Sequence, residues 1–271
     1  MRAATLDLTG LEIRAGTRVL VRDVHLSLET GWVVALVGPS GSGKTLTARA
    51  LLGLVDLDPG VVAGELSIQV GTQSIRPYRG SYPRDRRGRD RAFRNVRGSL
   101  IAYLPQDCRS ALDPLLSVGR SVALAAQAAT RYAADPLPWL RRVGFRDADG
   151  VARAWPHELS GGMAQRVVIA QALARGSRFL LADEPTAALD PTVQLEIIDV
   201  LRALSFSGVG LLVITHDLRL VPELANEVVV MDGGTVVERT TPEALVRGQV
   251  EAEPTQRLLD ATRRIAGGRL G

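Results

Sequence analysis

With 271 residues, 46% of them hydrophobic and only 4% aromatic, the chain is long enough for one large domain, or a domain with a subdomain, around a core of Ala, Val and Leu. Its single cysteine, Cys108, excludes an internal disulfide, a multi-cysteine zinc site or an iron–sulfur cluster and is expected to be a small inert residue. No apolar run approaches the ~20 residues of a membrane helix and no charged-then-apolar leader opens the chain, which predicts a cytosolic protein; the net charge of +4 comes from one stretch.

Val19 and Val21, followed by His25-Leu26-Ser27-Leu28-Glu29, alternate in strand fashion and stop at Thr30-Gly31, which predicts a small antiparallel sheet. Residues 33–37 (Val-Val-Ala-Leu-Val) read as a buried strand and residues 46–54 as a helix. Between them lies Gly38-Pro39-Ser40-Gly41-Ser42-Gly43-Lys44-Thr45, and among 33 lysine and arginine residues Lys44 is the only lysine. A compact ammonium reaches between the β- and γ-phosphates of a nucleotide as a point charge, where a planar guanidinium fork does not fit. The glycines let backbone N–H groups turn onto the phosphates, Thr45 offers a hydroxyl to Mg²⁺, and the helix points its positive end at the anion. A Gly/Ser-rich turn matching by accident gives no reason for the lone lysine. The stretch predicts binding of a nucleoside triphosphate.

Residues 66–70 form another short strand. The stretch 76–97 gathers Arg84, Arg86, Arg87, Arg89, Arg91 and Arg94, broken by Asp85 and Asp90. It lacks interleaved aromatics and a clean helical stripe, which predicts a solvated, mobile loop rather than a surface for nucleic acid or anionic lipid. Residues 99–104 read as a strand ending at Pro105-Gln106. Residues 112–155 are Ala-rich and helix-periodic, with breaks at Pro136, Pro138 and Gly144, and predict a helical insertion. From Arg178 the βα rhythm returns, with a strand over 179–182, a helix over 192–204 and a strand over 211–214. Residues 228–231 and 235–238 flank Gly233-Gly234 as a hairpin. The plan is α/β, a mostly parallel core carrying a helical insertion and a short helical tail.

Phe179-Leu180-Leu181-Ala182-Asp183-Glu184 is an apolar strand that ends in two acids. A buried parallel strand delivers its last residues to the C-terminal edge of the sheet, where the phosphate loop also opens. There Asp183 is expected to hold Mg²⁺ through water, and Glu184 to orient and polarise the attacking water. The plainer role for two acids in this position is to cap a helix started by Pro185. Gln106 is placed to bridge Mg²⁺ and the water, and a neutral His216, just past the 211–214 strand, to reach the γ-phosphate oxygens. His25 and His157 lack such a placement and read as ordinary core or surface histidines. Asp190 lies on a turn before Pro191. Leu159-Ser160-Gly161-Gly162-Met163-Ala164-Gln165 opens a helix over 167–174, a second anion-binding helix N-terminus. Because the Lys44 loop already holds a triphosphate, the economical role for this one is to cap the γ-phosphate of a nucleotide on another subunit. Closure of the pair then depends on ATP.

In order and spacing, residues 38–45, Gln106, residues 159–165, residues 179–184, Ala188-Leu189-Asp190 and His216 resemble the motif set of the ATP-binding cassette (ABC) ATPases, over roughly residues 5–245. The resemblance implies an ABC-type P-loop NTPase fold: a RecA-like, mostly parallel core, an antiparallel β-subdomain and a helical subdomain. It implies a nucleotide-binding domain over residues 1–248, with the helical subdomain at about 107–175, and a helical tail over 249–271. It also implies ATP and Mg²⁺ as cofactors and a head-to-tail dimer with two composite sites. Carried onto this chain, Glu184, His216 and Gln106 are catalytic, and Gly38, Pro39, Ser40, Gly41, Ser42, Gly43, Lys44 and Thr45 bind the nucleotide. Thr45, Gln106 and Asp183 hold the metal. Ser160, Gly161, Gly162, Met163 and Gln165 act on the partner's ATP, and Asp190 belongs to the D-loop.

Two stretches resemble a narrower group. Gln106-Asp107-Cys108-Arg109-Ser110-Ala111-Leu112-Asp113-Pro114 and Pro156-His157-Glu158-Leu159-Ser160-Gly161-Gly162-Met163 are similar to segments of the oligopeptide, dipeptide and nickel uptake ATPases, in particular the first ATPase of each pair. That implies two membrane permeases, a second and different ATPase and a solute-binding protein as partners, with no nucleic acid. It places the chain peripherally on the cytoplasmic face of the membrane. The alternatives are a stand-alone exporter ATPase and a soluble, non-transport cassette protein; the latter would need a second cassette or a long insertion. The family's adenine-stacking aromatic should fall near Arg14-Ala15-Gly16, where none stands, Cys108 replaces a proline, and the basic stretch near Arg84 reads as an insertion.

Overall fold

The computed structural model of the chain describes residues 3–80, 82–130, 134–187 and 189–265. Ala188, expected in the turn before Pro191, and residues 266–271 of the expected tail lie outside the described residues. The strands are β1 (Ala4–Ala15), β2 (Arg18–Glu29), β3 (Val33–Val37), β4 (Pro59–Val70) and β5 (Gln73–Arg79), then β6 (Ile101–Leu104), β7 (Phe179–Asp183), β8 (Gly210–Thr215), β9 (Glu227–Asp232) and β10 (Thr235–Thr240). The helices are α1 (Lys44–Ala50), α2 (Arg86–Ala92), α3 (Val118–Thr130), α4 (Leu137–Arg142) and α5 (Ala148–Arg153), then α6 (Gly161–Arg175), α7 (Pro191–Phe206), α8 (Val221–Leu224), α9 (Pro242–Arg247) and α10 (Glu253–Ile265).

Two sheets result. An antiparallel sheet runs β2-β1-β4-β5, and a second runs β10-β9-β3-β8-β7-β6 with every pairing parallel except β9 with β10. Every residue of β3, β7 and β8 is buried, as expected for parallel strands covered on both faces. One face of the core sheet packs with the antiparallel sheet through Leu6, Ile13, Leu36 and Ile214. The other packs under α3, α6 and α7 through Val122, Ile169, Leu180 and Leu201. The register matters most for function: Val37 pairs with Thr215, Asp183 with Ile214, and Leu104 with Ala182. The ends of β3, β6, β7 and β8 therefore reach one edge together, where open α/β sheets place their ligand sites.

Three sequence expectations change. The helix expected over 46–54 stops at Ala50, because Gly53 takes φ +67° and the Leu54 N–H donates to the Arg49 carbonyl at 2.9 Å in a Schellman-like close. Pro185 starts no helix; residues 184–187 turn, with the Ala187 N–H on the Glu184 carbonyl at 3.1 Å, and the helix begins only at Pro191. The arginine-rich stretch is folded rather than a solvated loop. Phe93 and Val96 are buried, and the rings of Tyr78, Tyr82 and Phe93 pack with centroids 5.0, 6.2 and 6.1 Å apart. Arg97 donates to the carbonyls of Leu52 (2.6 Å) and Gly53 (3.0 Å) and to Asp90 (2.7 Å), while Arg89 pairs with Asp56 at 3.0 Å. The aromatic anchors sit at both ends of the charged run, too far apart for any local pattern to show them.

Candidate active site

β3 delivers the chain to Gly38, where no side chain fits: φ is +148° and a Cβ would lie 2.1 Å from the Met231 carbonyl oxygen on β9. Gly41 and Gly43 also take positive φ, which aims successive backbone groups inward before α1 begins at Lys44. Pro39, Ser40 and Gly41 form the exposed lip, and Ser42 is buried. Lys44 is 7% exposed and arches over the loop. Its Nζ donates to the carbonyls of Gly38 (2.8 Å) and Pro39 (2.9 Å) and to Ser42 Oγ (3.3 Å). Burial lowers the ammonium's pKa, and the carboxylates of Glu184 and Asp183 oppose that by raising it.

The Thr45 hydroxyl donates to Asp183 Oδ1 at 3.2 Å, and the Tyr103 hydroxyl donates to Asp183 Oδ2 at 2.8 Å. Asp183 is only 5% exposed, so both its oxygens depend on these two donors. Burial and the neighbouring carboxylate raise the Tyr103 pKa, which keeps the phenol protonated as a donor. Hydroxyl and carboxylate oxygens side by side beneath a phosphate loop suit Mg²⁺, which binds one or two protein oxygens and shares the rest with phosphates and water. Among the described residues no cluster of three or more His, Cys, Asp or Glu side chains forms a separate metal site.

Glu184 takes φ +51°, a left-handed backbone that is strained for a residue carrying a Cβ and is held by its N–H on the Ile214 carbonyl at 2.9 Å. The bend aims Glu184 across to β8, where Oε1 lies 2.8 Å from His216 Nδ1. Glu184 is mostly shielded while His216 is exposed, so the pair has one inner and one outer member. Gln106 sits just past the end of β6, exposed, on the same edge.

A second group assembles elsewhere. Ser160 caps α6, its Oγ accepting from the Met163 N–H at 3.2 Å, and Asp190 caps α7 by accepting from the Val193 N–H at 3.1 Å. A Cβ on Gly162 would lie 2.3 Å from Val193 Cγ1, so this glycine lets α6 approach α7 closely. Gln165 is buried, and its Oε1 has no partner among the described residues. No hydrogen bond or ion pair among the described residues joins this group to Lys44, Asp183, Glu184 or His216. One chain thus carries a phosphate-and-acid half and a separate helix-N-terminus half. Cys108 is buried, donates to the Pro105 carbonyl and has its thiol pushed up to about 12 by burial, in keeping with an inert residue.

Residues 21–187 match the family described as "ABC transporter". This chain belongs to that family. The cassette is an ATPase, and its nucleotide is ATP. It is 39% identical over 247 residues to a Brucella abortus protein provisionally named a peptide import ATP-binding protein, covering 88% of this chain and 71% of that one. It is 42% identical over 228 residues to the oligopeptide transport ATP-binding protein OppD of Mycobacterium tuberculosis, covering 80% of this chain but only 35% of the relative's length. Among solved structures, a dimeric post-hydrolysis state of the ATP-binding cassette MJ0796 bound to ADP and Pi aligns with a TM-score of 0.70 at 25% identity, covering 88% of this chain and 98% of that chain. The cbiO1 structure from Clostridium perfringens aligns with a TM-score of 0.71 at 24% identity and covers 97% of both chains, a likeness of fold.

Sequence reasoning missed three contributors to the cassette's site: Tyr103 on Asp183, Met231 against the phosphate loop, and Arg109, whose guanidinium donates to the Leu159 carbonyl and so ties the segment after Gln106 to the start of the Ser160 motif. Tyr103 alternates out of the 101–104 strand and was legible only as a polar tip on an otherwise apolar run. Replacing Tyr103 by phenylalanine leaves Asp183 Oδ2 buried without a donor. It is expected to destabilise the cassette by about 1–3 kcal/mol, read as a shift in denaturant midpoint, and to lower ATP turnover.

Proposed function

We propose that this chain is the ATP-hydrolysing subunit of an importer of the peptide or nickel class, driving uptake of a small solute through two partner permeases. The observation that carries the hydrolytic part is the joined cluster Lys44, Thr45, Asp183, Glu184 and His216 at one sheet edge. The import part rests on the names of the relatives and on the Gln106–Pro114 and Pro156–Met163 stretches. ATP binds with its phosphates over residues 38–45, and Lys44 exchanges its loop carbonyls for β- and γ-phosphate oxygens. Glu184 accepts a proton from the attacking water, and His216, oriented by Glu184, meets the γ-phosphate. Thr45 and Asp183, with Gln106, would hold Mg²⁺, which when bound neutralises phosphate charge.

Ser160, Gly161, Gly162, Met163 and Gln165 act on the nucleotide of a partner cassette in a head-to-tail pair, with Asp190 at the same interface. Support for this comes from their separation from Lys44 within one chain. The second cassette is a different chain, and a solute-binding protein serves the permeases. A groove of about 440 Å³ lined by Leu52, Leu54, Tyr103, Leu116 and Leu124, with Leu54 44% exposed, is the docking face for a permease's cytoplasmic segment. Tyr103, whose hydroxyl reaches Asp183, lines it too, so the groove and the nucleotide site share a residue. Among the described residues no helix is long and apolar enough to cross a membrane, and the chain sits peripherally on the cytoplasmic face through those permeases.

The test is retrieval from native membranes with Glu184→Gln, ATP and Mg²⁺, read by mass spectrometry. Two permeases, a second cassette and a solute-binding protein are the expected companions. Recovery of only soluble or nucleic-acid-bound proteins would overturn the importer reading.

A further inference from the structure

Between β5 and β6 the chain makes one coil with two unlike sides. No residue of α2 is buried, and its turn runs on past Ala92: the Phe93 N–H donates to the Arg89 carbonyl at 2.9 Å and the Arg97 N–H to the Phe93 carbonyl at 3.0 Å. Side chains three and four positions apart share a side of such a coil. The inner side carries Arg89, Phe93 and Arg97. Phe93 is buried there, and the two arginines are tied to Asp56, Asp90 and the carbonyls of Leu52 and Gly53. The outer side carries Arg87, Arg91 and Arg94, all exposed. Composition hid this stripe, because arginines of both sides alternate along the chain.

Among the described residues, the guanidinium groups of Arg87, Arg91 and Arg94 make no hydrogen bond or ion pair, and neither does that of the exposed Arg84 just ahead of α2. The nearby acids are engaged elsewhere. Asp85 caps α2 by accepting the Gly88 N–H, Asp90 holds Arg97 at 2.7 Å and Arg86 at 3.9 Å, and Asp56 holds Arg89 at 3.0 Å. We propose that this uncompensated stripe rests on the anionic phospholipid headgroups of the membrane that holds the partner permeases. The groove described above gives the placement: Leu52, Leu54 and Arg97 line it, and Arg97 belongs to the same coil as the stripe. A membrane-spanning partner docked in that groove brings the bilayer surface to this side of the molecule. A guanidinium meets phosphate oxygens through paired N–H donors. A lipid surface offers many phosphates in one plane and needs no shaped pocket, which suits cations spread along a helix with no large apolar side chain among them; a protein partner needs an apolar centre. The inference rests on the permease-docking reading, but vesicle binding needs no permease, so the two readings fail separately.

The experiment is co-sedimentation of the purified whole chain with phosphatidylcholine vesicles that contain or lack phosphatidylglycerol, at low and at high salt. Wild type is expected to bind the anionic vesicles alone and to release them at high salt. One arginine near such a surface is worth about a fivefold gain in affinity, so the triple variant Arg87→Gln, Arg91→Gln, Arg94→Gln is expected to bind about 100-fold more weakly. Its unfolding temperature is expected to match wild type, since all three side chains are exposed. Arg→Lys at the same three positions keeps the charge and is expected to keep binding within a few-fold. Equal binding to uncharged vesicles, or a glutamine variant that binds like wild type, would overturn the proposal. No vesicle binding by wild type would also overturn it, and loss of the permeases from membrane retrieval by the glutamine variant would then assign the stripe to an acidic permease segment. Displacement from vesicles by inorganic phosphate would reveal a discrete phosphate site instead of a surface. A duplex oligonucleotide that binds more tightly than the vesicles would reassign the stripe to nucleic acid. Either result overturns the lipid contact.

Discussion

Replacing Glu184 by glutamine is expected to lower ATP turnover by roughly 10²–10⁴-fold, the usual contribution of a positioned general base, while ATP affinity stays near wild type. The substitution is selective for a geometric reason. The amide oxygen still accepts from His216 Nδ1, which lies 2.8 Å from Glu184 Oε1, and the backbone bend at φ +51° is equally open to glutamine. What disappears is the capacity to take a proton from water. Glu184→Ala removes both functions and frees His216, so it is expected to be at least as slow. Phosphate release at saturating ATP, with nucleotide affinity measured alongside, separates binding from chemistry. Turnover of the assembled complex within threefold of wild type would remove Glu184 from the role of base. With hydrolysis blocked, ATP is also expected to hold cassettes together, visible as an ATP-dependent dimer by size exclusion.

Lys44→Ala is expected to weaken ATP binding by roughly 30- to 5,000-fold, since truncating one partner of a buried charged contact costs about 2–5 kcal/mol. In the free chain the ammonium satisfies the carbonyls of Gly38 and Pro39 and balances the charge of Asp183 and Glu184. The same three donors are available to phosphate oxygens when nucleotide arrives. Lys44→Arg is expected not to restore binding. The planar fork is larger than the ammonium, and the loop gives no room, with Ser42 buried beneath it and Gly38 against Met231. The readout is the rise in unfolding temperature on adding ATP, present in wild type and lost in both variants. A nucleotide-induced shift of wild-type size in Lys44→Ala would show that the loop's backbone carries the affinity alone.

The site half around the phosphate loop was legible because its parts are contiguous. A strand, a glycine-rich turn and a helix within residues 33–50 state both their fold and their chemistry, and the lone lysine marks the spot. The acids at the end of β7, His216 after β8 and the Ser160 motif were legible for a similar reason, each being a polar group placed where an apolar element stops. The arginine-rich stretch was not legible. Local composition there is that of a solvated loop, while its order comes from Phe93 and Val96 packing with Tyr78 and Tyr82 and from Arg97 reaching back to Leu52 and Gly53. Pro185 misled because proline opens turns as readily as helices, and the strained bend at Glu184 demanded a turn.

By itself, the sequence determined the elements around the glycine-rich loop, the family and which polar groups stand where apolar strands stop, because those depend on neighbours along the chain. Only the tertiary structure decided how those groups touch. Tyr103 reaches Asp183 because Tyr103 pairs with Leu181 across β6 and β7, and Glu184 reaches His216 because Asp183 pairs with Ile214. Gly38 must be glycine because Met231, almost two hundred residues later, passes beneath it. Sheet register is set by packing over the whole core, and no local periodicity encodes which residues of distant strands end up side by side.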